Sequence, residues 1–203
     1  RRCLVRGRVG KVMRRLAGRR RANQPISGVE RRLVARAAAA AAADGIFVRS
    51  VESDMDKMRV LIVGASGTPY EDVLFEFDIA LPPDYPTTPP QVYFYSMTDG
   101  LGRLNPNLYE DGRVCLSLLN TWMGDSVEVW TPKSTVLQLL VSLQSLVLVK
   151  YPYYNEAGFE RHRGTSEGFA NALAYNERAF LLSMRVRRAA NQAVRRCCAP
   201  PCG

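Results

Sequence analysis

Cys115 is the residue in this chain whose surroundings could do covalent chemistry. It lies in Asn105-Pro106-Asn107-Leu108-Tyr109-Glu110-Asp111-Gly112-Arg113-Val114-Cys115-Leu116. Pro106 fixes its own φ and disfavours helix at Asn105, so the Asn-Pro-Asn step is a stiff turn able to aim the Asn107 side chain. Asp111-Gly112 is a second turn signal, with Gly112 free to take positive φ. Two reversals bring the chain back on itself and can place Cys115 near the Asn107 amide. A thiol beside a fixed amide donor suits acyl transfer: the thiolate attacks a carbonyl, and the amide stabilises the oxyanion that develops. The competing reading is a packed, inert cysteine, which is the commoner fate of the residue type.

The elements that must hold this turn follow from the flanking sequence. Ile46–Val51, Met58–Gly64, Val73–Leu81 and Gln91–Tyr95 are short and rich in β-branched or aromatic residues. Turn-like stretches separate them: Asp54-Met55-Asp56, the loop 64–72 and the proline-rich segment 82–90. The pattern predicts an antiparallel meander with Leu74, Phe75, Phe77 and Ile79 in the core. Ser27-Gly28-Val29-Glu30 has the capping-box pattern, and the arginine- and alanine-rich run after it ends at Gly45, which predicts a first helix. From Thr131-Pro132-Lys133-Ser134 through Leu148 the chain is apolar nearly all round, as in a buried central helix. Residues 164–188 predict one or two further helices with Phe169, Leu173, Tyr175, Phe180, Leu181 and Met184 as the apolar face. The expected class is α+β, with a basic and disordered arm at 1–25, one catalytic domain at 26–190 and a disordered tail at 191–203.

Composition narrows the function. The chain has 203 residues and a formal net charge of +9, with arginine crowded before Pro25. Four of the five cysteines, Cys3, Cys197, Cys198 and Cys202, lie near the ends, which argues against a disulfide framework or a metal cluster with paired ligand spacing. No apolar run reads as a membrane span or a signal peptide. These features suit a reducing compartment, cytoplasmic or nuclear. The chain starts with Arg1, and a fragment of a longer protein is the expectation. The basic arm lacks a recognition motif and interleaved aromatics, so nucleic-acid binding is an accessory role at most. A cysteine hydrolase needs a base, and His162, the only histidine, has no motif linking it to Cys115.

Four stretches occurring in order make the reading sharper. Asn105-Pro106-Asn107 followed by Cys115-Leu116 resembles the active-site signature of ubiquitin-conjugating enzymes. Gly64 to Asp72, Leu81 to Pro90 and Trp130-Thr131-Pro132 resemble the same family's Gly-Pro-x-x-(Ser/Thr)-Pro-Tyr-x-Gly loop, Pro-x-x-Tyr-Pro-x-x-Pro-Pro segment and Trp-(Ser/Thr)-Pro loop. The likeness extends over Ser27 to Ala190. The Leu104 to Tyr109, Leu118 to Trp122 and Tyr153 to Gly158 stretches resemble the large hybrid conjugating enzyme/ligases and the giant BIR-containing conjugating enzyme. The resemblance implies a thioester on Cys115 that is passed to substrate lysines, with no metal, nucleotide or organic cofactor. It implies ubiquitin, its activating enzyme and lysine-bearing substrates as partners, and a cis Tyr85-Pro86 bond.

Departures from the family pattern are informative. The histidine usual before Pro-Asn is Asn105, which also suits a turn and is shared by the hybrid subgroup. Asn107 would donate to the oxyanion or brace the neighbouring loop. The aspartate that many members use to receive the incoming lysine aligns with Tyr154 and Asn155, with Glu156 next along. Tyr154 and Glu156 are therefore the candidate helpers, aromatic packing being the alternative for Tyr154. Thr87 replaces the phenylalanine that anchors a RING ligase in many members, and Lys133 follows Pro132 in the second docking loop. A RING ligase is thus a weaker expectation than ubiquitin itself. The alternative from a different class is an inactive conjugating-like module that only binds ubiquitin or a ligase. Retention of Cys115 with Asn107 argues against it.

Overall fold

The computed structural model describes residues 45–51, 54–121 and 129–198. The expected basic arm, the helix from Ser27, the stretch Trp122 to Glu128 and residues 199–203 lie outside the described residues.

Four strands follow one another: β1 (Ile46–Val51), β2 (Asp54–Val63), β3 (Leu74–Ala80) and β4 (Gln91–Phe94). They form an antiparallel sheet in the order β1-β2-β3-β4. Register aligns Val48, Val60, Phe77 and Phe94 across the sheet. Side chains alternate with the two-residue period of a half-buried antiparallel sheet. Met58, Val60 and Ile62 of β2 are buried, as are Phe75, Phe77 and Ile79 of β3. Leu74, expected in the core, faces outward and is 45% exposed, because it sits one residue out of phase with Phe75. On the outer face Arg59 pairs with Glu76 and Asp78, and Tyr95 donates its hydroxyl to Asp78 at 2.6 Å. Asp54-Met55-Asp56, expected to separate two strands, begins β2. Pairing to β1 and a Leu81 N–H to Asp56 carbonyl bond supply its ladder, so tertiary pairing overrides the poor strand propensity of aspartate.

The inner face is covered by the central helix. α1 (Val136–Ser142) starts at Thr135, where Thr135 and Gln138 cap each other's backbone N–H groups. Thr131 to Ser134, expected as the first helical turn, instead close a separate turn through a Ser134 N–H to Thr131 carbonyl bond. Leu143–Val147 then widens into a π-turn. Leu139, Leu140, Leu143 and Val147 are buried, whereas Val141 and Leu146 are 46% and 53% exposed. The helix is therefore buried on one side, although its sequence is apolar nearly all round. α2 (Ser166–Cys198) is a single helix. It continues through residues expected to be disordered, because Ala189 to Cys198 contains good helix formers and no proline lies between Pro152 and Pro200. Tyr85-Pro86 is cis, as the family resemblance implied, and Trp130 holds this segment by donating Nε1–H to the Pro86 carbonyl at 2.8 Å.

The stretch from Leu108 to Val114 docks on the free edge of β4. The Phe94 N–H donates to the Gly112 carbonyl at 2.8 Å. Gly112 has φ +93°, and a Cβ there would lie 1.9 Å from the Tyr93 ring. Gly112→Ala should therefore destabilise the protein by about 2–4 kcal/mol in urea unfolding, from left-handed strain plus a ring clash. Gly67→Ala, also at positive φ but with nothing within 4 Å, should lose only about 1 kcal/mol. Equal losses would show that the Tyr93 contact is not what requires glycine.

Candidate active site

The Asn-Pro-Asn turn is built around one buried amide. Asn105 is fully buried and uses its whole side chain. Its Nδ2 donates to the Tyr70 hydroxyl at 3.0 Å and to the Val147 carbonyl at 2.7 Å, and its Oδ1 accepts the Asn107 N–H at 2.8 Å. Tyr70 in turn donates to the Leu104 carbonyl at 2.9 Å, and burial pushes its phenol well up, so it remains a donor at neutral pH. A helix leaves its last carbonyls without intrahelical partners. Asn105 satisfies that of Val147, and Asn155 satisfies that of Leu146 at 2.8 Å. Pro106, buried between the two asparagines, holds the step rigid.

Cys115 is attached to this frame through its backbone. Its N–H donates to the Asn107 carbonyl at 2.9 Å, and its carbonyl accepts from Asn107 Nδ2 at 2.8 Å. Asn155 Nδ2 donates to Asn107 Oδ1 at 3.1 Å and so fixes the amide plane. On the other side Thr121 Oγ1 accepts the Leu116 N–H at 2.9 Å and donates to the Val114 carbonyl at 2.8 Å. The peptides on both sides of Cys115 are thus clamped. At 6% exposure the cysteine is as buried as an inert one, so burial alone does not separate the two readings. The polar frame around it fixes the peptides on either side of the sulfur.

Asn107, offered as oxyanion donor or as brace, makes the bracing contact with one N–H of its amide, which holds the Cys115 carbonyl. Tyr154 is buried, packs on Tyr151 and Tyr153, and lies under the Arg163 guanidinium at 4.7 Å. Those contacts are the aromatic packing role. Glu156 is about a third exposed, and its Oε2 accepts from Arg103 Nη2 at 3.2 Å. His162 is engaged with Tyr153, whose hydroxyl lies 3.2 Å from Nδ1, and stacks on Phe159. Among the described residues no group of three or more His, Cys, Asp and Glu is placed to hold a metal ion.

Sequence reasoning passed over Asn155 in favour of its neighbours and missed Thr121 and Tyr70 entirely. Asn155 carries a readable signal, an amide a few residues past a buried helix end. Thr121 and Tyr70 act across folds of the backbone that local sequence does not reveal.

A sequence profile described as "Ubiquitin-conjugating enzyme" matches residues 33–180. The chain belongs to the ubiquitin-conjugating enzyme family. Within the family, it is 60% identical over 143 residues to a probable ubiquitin-conjugating enzyme of Arabidopsis thaliana, a match covering 70% of this chain and 13% of that protein. It is 51% identical over 132 residues to the human dual ubiquitin-conjugating enzyme/ubiquitin-protein ligase BIRC6, covering 64% of this chain and 3% of that one. A solved ubiquitin-conjugating enzyme domain from Toxoplasma gondii superposes with a TM-score of 0.54 at 27% identity, covering 76% of this chain and 97% of that structure. The shared fold is the one the sequence led us to expect. The chain spans only a small fraction of these Arabidopsis and human relatives.

The frame makes different demands on its amides. Asn105→Ala strands the buried Val147 carbonyl and the Asn107 N–H, and should destabilise by about 2–5 kcal/mol in urea unfolding. Asn155→Ala removes bonds that water can replace, and should lose about 1 kcal/mol or less. A larger loss at Asn155 than at Asn105 would contradict the assignment of the buried frame to Asn105.

Proposed function

We propose that this chain is a catalytically active ubiquitin-conjugating domain. Family membership and the clamped peptides flanking Cys115 support the reading. The Cys115 thiolate attacks the carbonyl carbon of ubiquitin's C-terminal thioester on the activating enzyme. A tetrahedral oxyanion forms and collapses, and the activating enzyme's thiolate leaves. Ubiquitin is then held on Cys115 until a substrate lysine amine attacks the same carbonyl. The Cys115 thiolate leaves and the amine's proton passes to solvent or to a nearby base, leaving an amide. A lysine must be neutral to attack, and its ordinary pKa near 10.4 opposes this. Glu156, charged and within reach of solvent, is the group best suited to receive and orient the ammonium. The second N–H of the Asn107 amide is the donor suited to the oxyanion, its first being engaged by the Cys115 carbonyl.

The partners in this reading are ubiquitin, the activating enzyme and lysine-bearing proteins. Self-sufficient ligase character is part of the proposal, on the likeness to a relative named as a dual enzyme and on the exposed Thr87 and Lys133 at the two family docking loops. The proposed location is cytoplasm or nucleus.

A charging assay tests the central step. With activating enzyme, ATP and ubiquitin, the wild type should give an adduct that reductant removes. Cys115→Ser should give a reductant-stable ester, and Cys115→Ala should give none. Folded wild-type protein that takes up no ubiquitin would favour the binding-module alternative.

A further inference from the structure

Arg103 is the side chain near the site that the family chemistry leaves without a role. Its guanidinium has three engagements. Nη1 donates to the Pro106 carbonyl at 3.3 Å, Nη2 donates to Glu156 Oε2 at 3.2 Å, and Cζ lies 4.6 Å from the Tyr109 ring centroid. These contacts join the Asn-Pro-Asn turn, the loop after the central helix and the segment that leads to Cys115. The base of Arg103 is itself held. Gly102 N–H donates to Glu110 Oε1 at 2.9 Å, and a Cβ on Gly102 would come within 2.5 Å of Arg178 on α2.

The ion pair is about a third exposed on both sides. As a stability element a pair this exposed contributes little. Its consequence is geometric. A glutamate side chain on a surface loop otherwise samples several rotamers, and ordering it has an entropic cost. Arg103 is rigid where Glu156 is not, because a planar fork fixed on a backbone carbonyl and an aromatic face presents its remaining N–H in one direction.

We infer, taking the conjugating activity above as given, that Arg103 is a positioning residue that fixes the Glu156 carboxylate, and with it the Tyr151–Gly158 loop, against the Asn-Pro-Asn turn, so that an incoming lysine ammonium is received in line with the Cys115 thioester. The groups around this pair are Tyr109, whose ring also carries Arg113, and Tyr175 on α2, which has Arg178 beside it. Tyr175 is pushed up to about 12, chiefly by burial, with Arg103 and Glu156 acting in opposite senses, so it is uncharged at neutral pH and leaves the pair intact.

The test is single-turnover discharge of the ubiquitin-charged protein to free lysine and, in parallel, to hydroxylamine, which is neutral at pH 7 and needs no ammonium site. The readout is the ratio of the two rates for each variant. Arg103→Ala and Glu156→Gln should each lower the lysine-to-hydroxylamine ratio about tenfold, the order expected when a positioned group is displaced. The double variant should be no worse than either single one, because both remove the same arrangement. Arg103→Lys, which keeps the charge but not the fork, should fall between. An unchanged ratio in Arg103→Ala, or losses that multiply in the double variant, would overturn the inference. So would equal slowing toward both nucleophiles, which marks general damage to the site. If Arg103→Ala is poorly folded, Arg103→Lys and Glu156→Gln, both close in size to the native residue, carry the same comparison. Wild-type protein that never charges would remove the conjugating reading itself, a result distinct from any change in ratio.

Discussion

The end of the central helix is the constraint on which the site depends. A helix stops with unpartnered carbonyls, and here two of them, on Leu146 and Val147, point toward the Asn-Pro-Asn turn and the loop after it. Asn155 and Asn105 satisfy them with side-chain amides. The same two side chains reach Asn107, one through its side-chain oxygen and the other through its backbone N–H. Satisfying the helix and orienting the residue beside Cys115 are therefore one set of bonds. The π-turn contributes to this arrangement, since it changes the direction in which the last carbonyls project.

The sheet supplies the other fixed side. Its buried face sets where α1 packs, and its β4 edge takes the Gly112 carbonyl. Cys115 is then suspended between a helix end and a sheet edge, with Thr121 closing the peptides on either side. The cysteine is thus well packed while the peptides flanking it are held by polar contacts on both sides.

Much of this was legible in the sequence. Short runs rich in β-branched and aromatic residues marked the strands, with Leu74 placed on the wrong face, and Asn-Pro-Asn with Asp-Gly marked the two reversals before Cys115. What was not legible depended on tertiary pairing. Asp54 and Asp56 read as breakers but lie in a strand because both neighbours pair with it. The central helix read as buried all round, yet Val141 and Leu146 face out, because apolar residues alone do not reveal which side a sheet will cover. The tail 191–203 read as disordered from its basic, then cysteine- and proline-rich composition, yet helix propensity continues α2 to Cys198. Asn155 had a readable signal in its place just past the helix end, but its bond to Asn107 joins residues far apart in sequence.

The most direct measurement is peptide mapping of the ubiquitin-charged protein by mass spectrometry under acidic, non-reducing conditions, which preserve thioesters. The account predicts that ubiquitin's C-terminal carboxyl is carried on the peptide containing Cys115, and on none of Cys3, Cys197, Cys198 or Cys202. An adduct on one of those four, or one held only through lysine, would contradict it.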